Sequence, residues 1–363
     1  MASITNLPVF DGHNDVLLSI YLPKNGQKLS FFNRNDQGHI DWPRLREGGL
    51  GGGFFAVFVP SHSSSDKHPG VDPESGNTAY EMPIAPPIDH TYAREITIKG
   101  MASLFRLESQ SEGQMRVVRT AEELDTCLHD GILAAVLHFE GAEAIDPDLD
   151  ALYVFYQAGL RSLGVAWSRA NAFAEGVPFK FPHSPDTGPG LSAAGRELVK
   201  ACNQLGIVLD LSHINEKGFW DIANLSDAPL IVTHAAAYTL CQSTRNLTDK
   251  QLDAIGESDG VVGVNFHVAF LRADGRLEEK TPLSEIVRHI DYIAERIGID
   301  HVALGSDFDG ATMPLELGDV AGMPKLLAHL RQNGYDDEAL RKVAHENWMR
   351  VLRRTWNPES LNP

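Results

Sequence analysis

Seven side chains, far apart in this sequence, are of the types that could assemble one hydrolytic centre. His13 and Asp15 stand two residues apart in Asp11-Gly12-His13-Asn14-Asp15, so an extended segment turns both to one side. An imidazole and a carboxylate so placed are half of a divalent-metal site. Glu140 (in His138-Phe139-Glu140-Gly141), His213 (in Asp210-Leu211-Ser212-His213) and His234 (in Thr233-His234) could complete it. Five N/O ligands exceed the four of a structural zinc and fit two metals bridged by a carboxylate and a water. Asp307, in Gly305-Ser306-Asp307-Phe308-Asp309-Gly310, is the general-base candidate, because a carboxylate there could take a proton from water and pass it to a leaving amine. A further metal ligand is the alternative for Asp307. Arg245, in Ser243-Thr244-Arg245-Asn246, could hold a substrate carboxylate through two parallel hydrogen bonds, or form a surface ion pair.

The chain has 15 histidines in 363 residues, so most need a plain explanation. A lone histidine at a strand end is more often a hydrogen-bonded structural residue than a ligand. Candidates at the same end of several different apolar runs make chance a poor account. His138, two before Glu140, could support the site, and His267 could line a pocket. His39, His62, His68, His90, His129, His183, His289, His301, His329 and His345 fall in expected loops or helices and read as solvated or local.

The proposed ligands, Asp307 and His267 each close or follow one of a series of short apolar runs. These are Pro8–Asp11, Gly53–Val59, Ile132–Phe139, Leu160–Ala166, Ile207–Leu211, Leu230–Thr233, Val261–Asn265 and Val302–Gly305. Nearly continuous apolar runs suit parallel strands covered on both faces. Helical patterns separate them: Thr120 with Glu123 and Thr248 with Gln251 read as capping boxes. Ser192 opens a helix that Gly206 stops, Ile286, Ile290, Ile293 and Ile297 share a stripe, and Ala339 to Val351 suggests a final helix. Eight strand–helix units predict an α/β fold, a (β/α)8 TIM barrel, as a single catalytic domain over 1–363 with an insertion after strand 2 at about 61–131. No Gly-rich phosphate fingerprint follows the first strand, which disfavours a doubly wound sheet. In a barrel the carboxyl ends of the strands form the catalytic face. The Ser-, Pro- and Asp-rich stretch Ser61–Asp89 predicts a loop over one end; it and Phe54–Val59 are candidates for a lid or a homodimer surface.

Composition narrows the partners. Net charge is −18 (31 Lys and Arg against 49 Asp and Glu), which argues against nucleic acid and anionic membrane surfaces. No run reaches the length of a transmembrane helix, and no signal peptide or hydrophobic tail is read at either end. Three cysteines (Cys127, Cys202, Cys241) cannot build a disulfide framework, so a reducing, cytoplasmic setting is expected.

Together the ordered motifs resemble the renal (membrane) dipeptidase family, peptidase family M19, among the amidohydrolase-like, metal-dependent hydrolase barrels. The matching stretches run from residue 8 to 310, nearly the whole chain, and make it similar to soluble bacterial members. The resemblance implies a binuclear site of two Zn2+ per subunit. His13 and Asp15 would hold one ion, His213 and His234 the other, and Glu140 with a water or hydroxide would bridge. It also implies that Arg245 binds the C-terminal carboxylate of a small dipeptide substrate. Asp307 would contact the free amine and shuttle a proton, and D-residues would be accepted at the C-terminal position. No lysine stands at a strand end, which fits the Glu-bridged rather than the carboxylated-lysine type. One departure stands out: Trp167 occupies the place of a family histidine thought to steady the tetrahedral intermediate. Either Trp167 or Arg169 supplies that donor, or the substrate range differs. The alternatives are an amidohydrolase acting on another amide, such as an N-acyl amino acid, and a non-catalytic binding homologue.

Overall fold

The β-branched and aromatic runs form strands that pair side by side in chain order. The computed structural model describes residues 7–23, 29–61 and 69–356, and His62 and His68 lie outside them. Its strands are β1 (Val9–Asn14), β2 (Leu50–Phe58), β3 (Tyr80–Met82), β4 (Met115–Val117), β5 (Leu133–Glu140), β6 (Leu160–Gly164), β7 (Phe179–Phe181), β8 (Val208–Asp210), β9 (Ile231–Ala235), β10 (Val261–Val264) and β11 (Val302–Leu304). The main sheet runs β1-β2-β5-β6-β8-β9-β10-β11, all parallel, and β4 adds beside the first half of β5. The first and last strands meet just beyond their ends. Asp307 N–H donates to His13 O at 3.0 Å and Asp15 N–H to Phe308 O at 2.8 Å. The result is the expected TIM barrel of eight parallel strands.

Helices cover the outside, with ends set by local chemistry. The side chain of Thr120 caps the helix Ala121–Asp130 at Glu123 N, and Ser192 caps Ala193–Leu205, which left-handed Gly206 ends. Thr248 N–H donates to Gln251 Oε1 at 2.9 Å, as a capping box requires. The final helical stretch, Asp337–Thr355, includes a π turn at Lys342–Glu346 and sends Trp348 up into the barrel floor. There the buried indole packs on Phe10 and Phe54 and donates to Leu304 O at 3.1 Å. Phe10, Phe54, Val136, Val208, Ile231, Val261 and Ala303 fill the rest of the interior. No described helix is long and apolar enough to cross a membrane.

Three expectations need correction. Phe54–Val59 is no docking surface: five of its six residues are β2 positions, and nearly all of it is buried in the barrel wall. The stretch Ser61–Asp89 is not all loop, since β3 within it pairs antiparallel with β7. Three-residue strands carry too few side chains for a periodic signal. His289 is not solvated either. It is fully buried, accepting from Ala237 N–H at Nδ1 (3.0 Å), with Nε2 2.9 Å from Leu271 O.

Candidate active site

At the carboxyl ends of β1, β5, β8 and β9, and just past β11, the polar residues converge. His213 Nε2 lies 3.1 Å from Glu140 Oε1, His234 Nε2 3.7 Å and His13 Nε2 3.8 Å from the same oxygen. His13 Nε2 is also 3.3 Å from Asp15 Oδ2. The His13 and His234 rings lie tilted by 34° with centroids 3.9 Å apart. Two sets of ligand atoms cluster closely enough to hold an ion: His13, Glu140 and His234, and His13, Asp15 and Asp307. Glu140 thus faces every imidazole of the proposed site.

The backbone beneath this cluster is held by two buried carboxylates. Asp11 accepts from Ser306 N–H and Ser306 Oγ, both at 2.7 Å, tying β1 to the segment after β11. Asp210 accepts from Ser212 N–H, Ser212 Oγ and Thr233 N–H, tying β8 to β9. Each clamp sits just before a candidate ligand: Asp11 before His13, Asp210 before His213. His213, Asp307 and Asp309 take left-handed backbone angles (φ +63°, +63° and +68°), conformations costly for residues with a Cβ and concentrated at functional sites. Gly310 is required by space: a Cβ there would stand 2.2 Å from Asp15 Oδ2 and 2.6 Å from Asp307 Oδ1.

The donor set fits a divalent cation. His213 Nδ1 lies 2.9 Å from Ser168 Oγ and His234 Nδ1 2.8 Å from Thr233 Oγ1, which itself donates to Asp210 Oδ2; a neutral imidazole with its N–H on that side offers its Nε2 lone pair to a metal. The two Nε2 atoms stand 3.0 Å apart. His13 Nε2 and Asp15 Oδ1 are buried without a hydrogen-bond partner. Burial pushes Glu140 well above the usual carboxylate range, and burial with nearby Arg245 and His13 pushes His213 and His234 well below the usual imidazole range. For His13, burial disfavours its proton, but Glu140, Asp15 and Asp307 outweigh that and lift it to about 10. Crowded carboxylates thus demand a compensating positive charge that a cation can supply to neutral imidazoles.

Around this centre the other expected residues take distinct places. Asp307 is partly exposed at the mouth, its carboxyl raised by desolvation, and Oδ2 accepts from Asn265 Nδ2 at 2.9 Å. Arg245 is buried, not a surface ion pair: it donates from Nη2 to His234 O at 3.1 Å, and its guanidinium lies 5.6 Å from the Phe270 ring centre. Trp167 packs its indole on Phe58, Phe179 and the His213 ring at 4.9, 5.6 and 5.8 Å. Arg169 is 1% exposed and turned toward the end of β2, donating to Val59 O at 2.7 Å and pairing with buried Glu143 at 3.6 Å. His267 has Nε2 2.7 Å from Pro69 O and accepts from Thr312 N–H at Nδ1. His138 lies below the cluster, 2.9 Å from Ser162 Oγ, with burial pushing it down to about 3. A crevice of about 580 Å3 opens at the opposite barrel end beside Pro8, Asp125 and Lys342, away from all this chemistry.

Comparison with known proteins agrees with the geometry. The model of the membrane dipeptidase family (peptidase family M19) matches residues 2–360. The chain belongs to that family. It is therefore an enzyme of the metallo-dipeptidase class, built on a barrel of eight parallel strands. A crystal structure of a metallo peptidase from Rhodobacter sphaeroides, liganded with a phosphinate mimic of the dipeptide L-Ala-D-Ala, shares 48% identity and a TM-score of 0.90 over 97% of this chain and 100% of that one. A Klebsiella pneumoniae protein from the pqqA 5′ region is 52% identical over 72% of this chain and 97% of its own length. The dipeptidase tcpJ of Claviceps purpurea is 29% identical over 94% of this chain and 76% of its own.

Sequence reasoning overlooked several residues that hold the candidate site together. Asp11 and Asp210 were visible as acids two and three places before candidate histidine ligands. Asn265 closes the seventh apolar run and could have been noticed by that position. Ser168 carried no local signal, because its tie to His213 spans 45 residues.

Proposed function

We propose that this enzyme hydrolyses small dipeptides bearing a free amine and a free C-terminal carboxylate, at a centre of two Zn2+ ions bridged by Glu140. The observation that carries the reading is the convergence of His13, His213 and His234 Nε2 on one oxygen of Glu140, within 3.1 to 3.8 Å. His13 and Asp15 would hold one ion, His213 and His234 the other. Metal at such a centre supplies Lewis acidity and lowers the pKa of water to about 7.

The chain's own residues do the rest. Arg245, buried beside His234, offers its guanidinium to the substrate's carboxylate in an environment where such hydrogen bonds contribute about 1.5–3 kcal/mol. Asp307 accepts from the substrate's amine and carries the proton that hydrolysis must move from the attacking water to the leaving nitrogen. Burial raises its carboxyl above the usual carboxylate value, the direction that favours holding a proton. Trp167 and Phe179 line the mouth with aromatic surface next to His213. The Rhodobacter relative's L-Ala-D-Ala mimic supports acceptance of a D-residue at the C-terminal position. Because the ligands come from β1 through β9 and Asp307 follows β11, the barrel is one catalytic unit. The three cysteines are buried free thiols, consistent with a cytoplasmic enzyme.

The test is metal content together with a dipeptide panel. Zinc-loaded enzyme should turn over L-Ala-L-Ala and L-Ala-D-Ala, lose activity on chelation, and reject the N-acetylated forms. Turnover of N-acetyl amino acids in preference to free dipeptides, or full activity in Asp307→Asn, refutes the reading.

A further inference from the structure

We propose that Asn265 is a positioning residue: it fixes the carboxylate of Asp307 through Oδ2 and leaves Oδ1 as the oxygen offered to the substrate's amine. The proposal rests on the role given to Asp307 above. Asn265 lies one residue past β10, fully buried, its backbone N–H donated to Ala235 O at 2.9 Å. The backbone decides which way its amide points. His267 N–H, which can only donate, sits 2.6 Å from Asn265 Oδ1, so that atom is the carbonyl oxygen. The NH2 group then turns to Asp307 Oδ2 at 2.9 Å and, being only a donor, holds that oxygen as an acceptor.

The support extends outward. His267, whose N–H sets the amide, is itself gripped by Pro69 O (2.7 Å) and Thr312 N–H (3.1 Å) and packs edge-on to Phe270 at 4.5 Å. On the other side of Asp307, Oδ1 and Asp15 Oδ2 both occupy the space a Cβ on Gly310 would take. The left-handed backbone at Asp307 (φ +63°) places the carboxylate at the mouth, and Asn265 decides which oxygen faces it.

Asn265→Asp is the isosteric test. It keeps an acceptor for His267 N–H and puts an oxygen where Asp307 had a donor. On the metal-loaded enzyme with L-Ala-L-Ala, kcat/KM should fall about 10- to 100-fold, the worth of one hydrogen bond to a charged group. Bound metal per chain and the preference for a free C-terminal carboxylate over its amide should stay unchanged. The preference for a free amine over its N-acetyl form should shrink. Wild-type kcat/KM and amine preference in this variant overturn the proposal, and so does loss of metal in step with activity. The double variant Asn265→Asp/Asp307→Asn restores the pair with donor and acceptor exchanged. Its unfolding midpoint should recover toward wild type while activity stays at the Asp307→Asn level; no recovery overturns the hydrogen bond. Full activity in Asp307→Asn alone removes the role of Asp307 and this inference with it. An inactive Asp307→Asn beside a fully active Asn265→Asp overturns this inference only.

Discussion

Gly310→Ala adds one methyl group between two carboxylates. Gly310 is not among the left-handed residues, so the backbone accepts alanine and the effect is purely steric. The new Cβ would stand 2.2 Å from Asp15 Oδ2 and 2.6 Å from Asp307 Oδ1, where ordinary contact begins at 3.4 Å. One carboxylate must retreat by about 1.2 Å and the other by about 0.8 Å, or the loop must lift by a similar amount. Neither has slack: Asp15 is 5% exposed and faces His13, and Asp307 is held by Asn265. A displacement of this size at a reacting centre costs about 100-fold in rate, whereas the overpacking itself costs about 1–3 kcal/mol of stability. The assay is steady-state kcat/KM on a free-amine dipeptide, with metal content and thermal unfolding measured on the same preparation. The expected result is a folded protein with kcat/KM reduced about 100-fold and weaker metal retention. Kinetics within about threefold of wild type would show that these carboxylates do not act from the positions described.

Other perturbations test the scaffold. Trp348→Ala should lower unfolding free energy by about 3–5 kcal/mol in denaturant titration, since a fully buried indole and its bond to Leu304 O are lost from the barrel floor. Arg169→Met should cost about 3–5 kcal/mol by stranding the Glu143 carboxylate, and adding Glu143→Gln should recover much of that; equal loss in both variants would deny the pairing. His289 titrates near 4 in the folded chain against 6.5 outside it, because burial disfavours the imidazolium. Its neutral form therefore contributes about 3 kcal/mol above pH 6.5 that is lost as pH falls toward 4, and His289→Gln should flatten that limb of the stability–pH curve.

The eight barrel strands were legible because each is an apolar run that must be covered on both faces, whatever lies next to it. Their ends were legible to within a few residues, and the ligand candidates with them, because a polar side chain after such a run has little choice but the barrel mouth. The pairing of β3 with β7 was not, since six residues joined across about a hundred leave no local pattern. His289 was misjudged for a related reason. On a helix face it looks like any polar residue, and only the Ala237 N–H and Leu271 O that engage it make it part of the interior.

By itself the sequence determined the residue types of a metal-dependent hydrolase and the repeating apolar runs that place them at one end of a barrel. Both follow from local chemistry: hydropathy along the strand, and polar groups where it stops. The tertiary structure alone decided that Glu140 faces three imidazoles at once, that Arg245 is buried against Phe270, and that Arg169 is committed to Val59 and Glu143. It also decided that Asn265 holds Asp307 and that Gly310 leaves room for two carboxylates. These relations join residues tens to hundreds of positions apart, and the distances that give them their chemistry exist only once the barrel closes.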